Sequence, residues 1–312
     1  MSTTLLARTS AEAEREIARI RVGRAAIAFH EAGRGQPVVL LHGSAASASQ
    51  WRSLTRELES RFHVFAPELH GHGDSRPWTG PGPLTLTAEA AIIAAIADRV
   101  DRPIHLVAHS YGAAVALHFA RTCPDRLRSL VLIEPVAFHL LREGRSARPS
   151  VLAEIEALAA EIQWALGEPS VGMRRFVDYW NGDGTWFRLP PDRRAQVASR
   201  IHAVAAHFGA TLGERAPLAA YGAIRVPVLL VCGTESPAPI SPIIVALAEV
   251  MPQARVLLVP GAGHMVPITH ADVVNTAIAE HLTHDPVLLP GRDTESHRPT
   301  RETIVERMKR KR

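Results

Sequence analysis

Residues 107–114 read Val-Ala-His-Ser-Tyr-Gly-Ala-Ala and are the most informative segment of the chain. An apolar strand pattern leads here into a serine between small residues, and a helical pattern follows. A serine hydroxyl is a weak nucleophile, and a sharp strand-to-helix turn pushes its oxygen out of the sheet. Gly112 supplies one small residue of such a turn, and Ala108 stands where a first glycine is usual. The pattern therefore predicts a reactive serine at Ser110.

Apolar runs of strand length recur on both sides of this turn, with helix-length segments between them. They lie at residues 38–42, 64–67, 104–109, 130–134, 226–233 and 256–260. Near-continuous Val, Leu and Ile content is typical of parallel strands buried on both faces. Residues 18–22 and 26–31 alternate instead, which predicts an antiparallel pair at one edge. The sequence thus predicts an α/β fold built on a mostly parallel sheet.

The alternation of strands and helices is interrupted between residues 138 and 216. This segment has helical patterns and many aromatic residues but no strand pattern, and we interpret it as an inserted helical cap. Residues 18–137 and 217–284 are then the α/β core. Residues 1–17 form an N-terminal extension, and residues 285–312 form a basic tail that is expected to be disordered.

Composition bounds the class of protein. The chain has 312 residues, 46% of them hydrophobic, and contains no apolar run long enough to span a membrane. The first 16 residues lack the apolar core of a signal peptide and carry three glutamates, so we expect a cytoplasmic protein. Two cysteines without close spacing predict neither a disulfide framework nor a zinc site.

The basic charge is confined to the C-terminus. Residues 298–312 hold seven Lys or Arg against two Glu, a net of +5, which leaves −1 for the rest of a chain whose net charge is +4. A neutral body argues against a nucleic-acid-binding protein, and weak electrostatic contact through the tail is the alternative. We therefore expect no nucleic-acid partner.

A reactive serine needs a base and donors for the oxyanion. His264 follows the last strand in a glycine-rich loop and is the candidate base, because it lies C-terminal to Ser110 as this order of catalytic residues requires. For the oxyanion hole, Ser44 follows His42-Gly43 at the end of the first long parallel strand. Its backbone N–H is expected to act with that of Tyr111.

These motifs, together with Glu-Leu-His-Gly-His-Gly-Asp-Ser at residues 68–75, resemble the α/β-hydrolase fold superfamily and its capped, esterase- and lipase-like serine hydrolases. The resemblance covers about residues 20–282. It implies an eight-stranded, mostly parallel sheet with helices on both faces and a cap after the sixth strand. It implies neither a metal nor an organic cofactor, and a mainly structural role for the 68–75 loop, so His70 and His72 are assigned no metal.

The acid that orients the base departs from the usual pattern of this superfamily. The commonest position follows the seventh strand, and Ser236 stands there. Some members carry the acid after the sixth strand, where this chain has Glu134. A buried carboxylate needs a partner, and the His264 imidazole would be one. Glu134 is the first choice and Glu235 the second, and a weakened Ser–His pair without an acid is the remaining alternative.

Ser110 as nucleophile disfavours the branches of the superfamily that use aspartate there. Acyl chemistry on a small molecule with an apolar acyl or alcohol part remains, a carboxylic ester first, with His109, Trp180 and Met265 as expected substrate-binding residues. An acyltransferase, a cofactor-free perhydrolase or a C–C bond hydrolase would use the same residues. A degenerate hydrolase that only binds a ligand stays open because Ser236 occupies the usual acid position. The sequence does not indicate an oligomeric state.

Overall fold

The structure is a computed structural model that describes residues 17–143 and 147–283. The expected N-terminal extension, except for Ile17, and the expected basic tail lie outside these residues. Within the described residues, no helix is both long and apolar enough to cross a membrane. Both cysteines are free: Cys232 is buried, whereas Cys123 is only partly buried.

Eight strands form one sheet in the order β1-β2-β4-β3-β5-β6-β7-β8. β1 pairs antiparallel with β2, β2 pairs antiparallel with β4, and every other neighbouring pair is parallel. The predicted α/β-hydrolase fold, with its mostly parallel sheet, is therefore confirmed. The strands are β1 Ala18–Val22, β2 Ala25–Ala32, β3 Gln36–Leu41, β4 Phe62–Pro67, β5 Ile104–His109, β6 Leu127–Ile133, β7 Val228–Gly233 and β8 Ala254–Val259.

Burial follows the strand patterns that the sequence shows. In β3, Val38 and Leu40 pack into the core on one face of the sheet, and Val39 and Leu41 pack into the core on the other. All four are fully buried, as expected for a strand covered on both sides. β1, at the edge, alternates between exposed and partly buried residues.

Helices cover both faces of the sheet. They are α1 Arg52–Leu58, α2 Leu86–Val100, α3 Tyr111–Thr122, α4 Pro149–Trp164, α5 Pro169–Asn181, α6 Thr185–Arg188, α7 Pro191–Ala198, α8 Ile201–Gly213, α9 Ile240–Val250, α10 Val266–Thr269 and α11 Ala271–Thr283. α2 begins directly after Thr85, whose side chain caps the helix by accepting from the N–H of Ala88. α3 ends at Thr122, with Cys123 as its C-cap, and Pro124 follows.

The described part of the chain between β6 and β7 contains the five helices α4 to α8 in succession, joined by short loops, and no strand. Its apolar side chains join the core on the α2 and α3 face of the sheet, and they include Ile155, Met173, Ile201 and Val204. These helices therefore lie over the carboxyl ends of the strands, where the candidate site residues are.

Candidate active site

Ser110 occupies the turn between β5 and α3 in a conformation that few residues adopt. Its φ is 55° and its ψ is −118°, and a non-glycine residue holds a positive φ only when the surroundings enforce it. Gly112 makes the close approach possible: a Cβ there would lie 2.6 Å from the carbonyl oxygen of His42. The turn predicted from residues 107–114 thus presents the Ser110 hydroxyl at the end of the strand.

Three side chains form one hydrogen-bonded chain at this turn. Ser110 Oγ lies 2.9 Å from His264 Nε2, and His264 Nδ1 lies 3.1 Å from Glu134 Oε2. With the proton on Nδ1, His264 donates to the carboxylate and accepts from the serine hydroxyl. The residues stand 154 and 130 positions apart in the sequence, and the carboxyl ends of β5, β6 and β8 bring them together.

The Glu134 carboxylate is buried and has three partners. Besides His264, its Oε1 accepts from the backbone N–H of Gly233 at 2.7 Å and from Ser236 Oγ at 2.6 Å. The second candidate acid, Glu235, has an exposed side chain, and only its backbone N–H points inward, to the carbonyl of Ala262. The structure therefore places Glu134, and not Glu235, beside the imidazole.

Burial sets the protonation of this pair. It raises the pKa of Glu134 to about 7, while the hydrogen bonds from Ser236 and Gly233 act in the opposite direction. Burial also lowers the pKa of His264 below its usual value, so the imidazole is neutral near pH 7. A neutral imidazole can accept the proton of the serine hydroxyl.

The two candidate oxyanion donors lie on either side of Ser110. Tyr111 is the first residue of α3, so its N–H is one of the unpaired donors of a helix N-terminus. Ser44 follows Gly43, where a Cβ would lie 3.0 Å from Ser110 Cβ, so glycine lets this loop approach the serine. Within the described residues, neither N–H donates to another protein group.

Two spaces meet at Ser110. A recess of about 20 Å³ is lined by Ser44, Ser110, Tyr111 and a largely apolar set from β6 onward and from the inserted helices. That set comprises Val136, Phe138, Phe176, Trp180, His207, Phe208 and Thr211. A larger cavity of about 350 Å³ is lined by Ser110 and His264, among others.

The three expected substrate-binding residues all line the larger cavity. The Trp180 ring lies against the His264 ring, with 4.2 Å between centroids. His109 also supports the base, because its Nε2 is 2.9 Å from the His264 carbonyl oxygen and its Nδ1 accepts from the Gln50 side chain at 3.1 Å. Met265, the residue after His264, is partly buried.

The two histidines of the 68–75 loop make structural contacts. His70 Nδ1 donates to Glu89 Oε2 at 3.0 Å, and His72 Nδ1 donates to the carbonyl of His70 at 3.0 Å. In the described part of the chain, no group of three or more His, Cys, Asp or Glu residues could hold a metal ion.

Sequence reasoning missed two polar contacts of the site. Ser236 cannot act as an acid, but it follows the seventh strand, and this position places its hydroxyl beside the Glu134 carboxylate. His207, on α8, lies 2.8 Å from Ser44 Oγ. No motif marks it among the 16 histidines of the chain.

Comparison with known proteins identifies the family. The sequence matches the model described as "Alpha/beta hydrolase family" over residues 38–277, and the chain belongs to this family. It is 36% identical to "Lipase LipV" of Mycobacterium tuberculosis over 143 residues, which cover 43% of this chain and 53% of the lipase. The match thus spans only about half of that relative.

A second relative and a solved structure match over longer stretches. "(E)-2-((N-methylformamido)methylene)succinate hydrolase" of Acinetobacter baylyi is 21% identical over 261 residues, which cover 83% of this chain and 94% of that protein. The structure of a thermophilic esterase from Thermogutta terrifontis superposes with a TM-score of 0.67 at 26% identity, covering 86% of this chain and 98% of the esterase. Hydrolases are thus among the relatives that this member of the α/β-hydrolase family resembles.

Proposed function

We propose that this protein is a serine hydrolase that cleaves a carboxylic ester through an acyl-enzyme on Ser110. The observation that carries the proposal is the hydrogen-bonded chain from Glu134 through His264 to Ser110, which ends at two open spaces. A nucleophile, a base and an orienting carboxylate in hydrogen-bond reach are the parts that acyl transfer needs.

Each residue has a role in the proposed reaction. Ser110 Oγ attacks the carbonyl carbon while its proton passes to His264 Nε2, and Glu134 holds the imidazole in the tautomer that accepts it. The N–H groups of Ser44 and Tyr111 stabilise the negative charge that forms on the carbonyl oxygen. The tetrahedral species collapses, the C–O bond breaks, and the leaving alcohol takes the proton from His264. Water then attacks the acyl-enzyme by the same route and releases the acid.

We assign the two halves of the ester to the two spaces by the route of the proton. The leaving oxygen must take its proton from His264, and His264 lines the larger cavity but not the recess. The alcohol part therefore belongs in the larger cavity and the acyl part in the recess. A space of about 10–15 Å³ holds one water-sized group, so a recess of about 20 Å³ favours a short acyl chain.

We also propose that residues 138–216 act as a cap over the core. Phe176, Trp180 and Phe208 come from this segment and line the recess. The cap then supplies the apolar wall against which the acyl group packs. The core in this proposal comprises residues 18–137 and 217–284.

The experiment is hydrolysis of a series of p-nitrophenyl esters with acyl chains from acetyl upward, with the full chain and with Ser110→Ala. The matched control is Ser199→Ala, an exposed serine at the end of α7. We expect the first variant to lose turnover and the second to retain it. Equal turnover in wild type and Ser110→Ala would overturn the proposal. Product analysis with added alcohol or peroxide separates hydrolysis from acyl transfer and perhydrolysis.

A further inference from the structure

The loop that carries Ser44 is held by the inserted helices. This loop, residues 43–47, is called the oxyanion loop here. His207 Nδ1 lies 2.8 Å from Ser44 Oγ, and Arg200, directly before α8, donates from Nη1 to the carbonyls of Ala45 at 2.5 Å and Ala46 at 2.7 Å. α8 and the residue that precedes it therefore contact three consecutive residues of the loop, Ser44, Ala45 and Ala46.

The oxyanion loop needs such support because its backbone is strained. Ala45 has a φ of 56°, a region that residues with a Cβ rarely adopt without enforcement. Its N–H donates to His72 Nε2 at 3.2 Å, and its carbonyl accepts from Arg200. The core thus holds the peptide unit between Ser44 and Ala45, and the insertion holds the one between Ala45 and Ala46, so both peptide units that follow Ser44 are anchored.

His207 also contacts the second oxyanion residue. Its ring stacks on the Tyr111 ring, with centroids 3.5 Å apart and an interplanar angle of 9°. A single side chain of α8 therefore touches both residues whose N–H groups form the proposed oxyanion hole. The His207 side chain is buried, so this contact belongs to the packed interior.

A carboxylate of the core faces the other ring nitrogen of His207. His207 Nε2 lies 3.7 Å from Glu89 Oε1, and within the described residues neither atom has a hydrogen-bond partner. Burial acts to raise the pKa of Glu89, but His207 and His70 outweigh it and keep that pKa below its usual value. Facing a carboxylate, the imidazole keeps its proton on Nε2. Nδ1 then accepts from the Ser44 hydroxyl, which gives that side chain one orientation.

We infer that His207 and Arg200 are positioning residues that hold the oxyanion loop in its active geometry, so that the insertion completes the oxyanion hole. This inference rests on the proposed function. Because oxyanion donors act on the transition state and not on the bound ester, losing their alignment lowers kcat more than it raises KM. A displacement of about 1 Å can cost about 100-fold in rate.

The test uses single and double variants of the full chain in ester hydrolysis. His207→Phe keeps a ring to stack on Tyr111 but cannot accept a hydrogen bond, and Ser44→Ala removes the other end of that bond. His207→Asn returns an acceptor near the position of Nδ1. His202→Phe is the matched control, because His202 is exposed on the same helix. Thermal unfolding of each variant reports whether it folds.

We expect His207→Phe and Ser44→Ala each to lower kcat about 10- to 100-fold with little change in KM. The double variant should lose no more than the larger single loss, because both substitutions remove the same bond. His207→Asn should recover part of kcat, Arg200→Met should lower kcat in the same way, and His202→Phe should match wild type.

Three results would overturn the inference: an unchanged kcat in both His207→Phe and Ser44→Ala, a loss confined to KM, or losses that add in the double variant. A wild-type protein without Ser110-dependent turnover would overturn the proposed function, and the inference with it. Ser110-dependent turnover that is indifferent to His207 would overturn the inference alone.

Discussion

Ser236 Oγ donates a 2.6 Å hydrogen bond to Oε1 of Glu134, across 102 positions of sequence. Ser236 stands where the resemblance to capped esterases places an acid, and Glu134 stands at the end of the neighbouring strand β6. Ser236 thus occupies the usual position of the acid and stabilises the Glu134 carboxylate, which faces the His264 imidazole. An ionised carboxylate is costly to bury unless hydrogen bonds compensate it, and Gly233 adds a second one.

The first prediction concerns the identity of the acid. Glu134→Gln should lower kcat by about three to four orders of magnitude, because the amide favours the tautomer of His264 that cannot accept from Ser110. Glu235→Gln, a matched change in the adjacent loop, should leave kcat within about twofold, since that side chain is exposed. Steady-state kinetics on one ester decides between them. Equal losses in both, or a loss only in Glu235→Gln, would contradict the assignment.

The second prediction is a pH profile. Activity needs an ionised Glu134. Burial raises the pKa of this carboxyl to about 7, although the hydrogen bond from Ser236 acts to lower it. We therefore expect kcat/KM to decrease as the pH falls below about 7. The apparent pKa of this decrease belongs to the Glu134–His264 pair and not to either residue alone. Ser236→Ala removes a bond that favours the charged form, so its acid limb should move to higher pH. Ser199→Ala serves as the control, and a limb that stays in place or moves down would rule out this role for Ser236.

The third prediction concerns stability. Glu214 follows α8 and accepts from His118 of α3 at 2.7 Å, and mainly for this reason its pKa lies at about 2, below the usual value of 4.5. Above pH 4.5 the native carboxylate is ionised and fully paired, and its contribution to stability is lost as the pH falls through about 2. Glu214→Gln should therefore destabilise the protein at pH 7, by about 1–2 kcal/mol.

Urea unfolding at several pH values checks this expectation. The deficit of Glu214→Gln relative to wild type should shrink as the pH falls from 4.5 towards 2. Glu57→Gln, an exposed glutamate on α1, should show no such deficit. A deficit that is equal at all pH values would show that the contact contributes by packing and not by charge.

The fourth prediction concerns the length of the acyl chain. Phe176 lines both the recess and the larger cavity, so Phe176→Ala should join the two spaces. The wild type should prefer acetyl over octanoyl esters, and the variant should shift the ratio of kcat/KM towards octanoyl by at least about tenfold. Phe187→Ala, at a ring that is 62% exposed, should keep the wild-type ratio. An unchanged ratio in Phe176→Ala would contradict the placement of the acyl group in the recess.

The sequence predicted the fold because its strands are buried on both faces and read as continuous apolar runs. It also pointed to Ser110, His264 and Glu134, since each follows a strand at the carboxyl edge of the sheet and parallel strands bring those ends together. The geometry agrees with these positions, and the catalytic roles stay predictions until the experiments are done.

Other contacts could not be predicted from the sequence, for physical reasons. The bond from Ser236 to Glu134 depends on the register of β6 against β7. His207 reaches Ser44 only because α8 packs over the core, and packing between helices depends on side-chain fit rather than on any local motif. Its partner Glu89 lies on α2 in the interior, where a glutamate has no sequence signature.

Labelling with a fluorophosphonate, followed by intact mass and peptide mapping, tests whether Ser110 is a nucleophile that His264 and Glu134 activate. Wild type, Ser110→Ala, Glu134→Gln and Glu235→Gln are compared at equal concentration. We expect a single adduct on Ser110 in the wild type and none in Ser110→Ala. The rate of labelling should be lower in Glu134→Gln and unchanged in Glu235→Gln. A folded wild-type protein that takes up no label, or takes it up on another residue, would contradict the account.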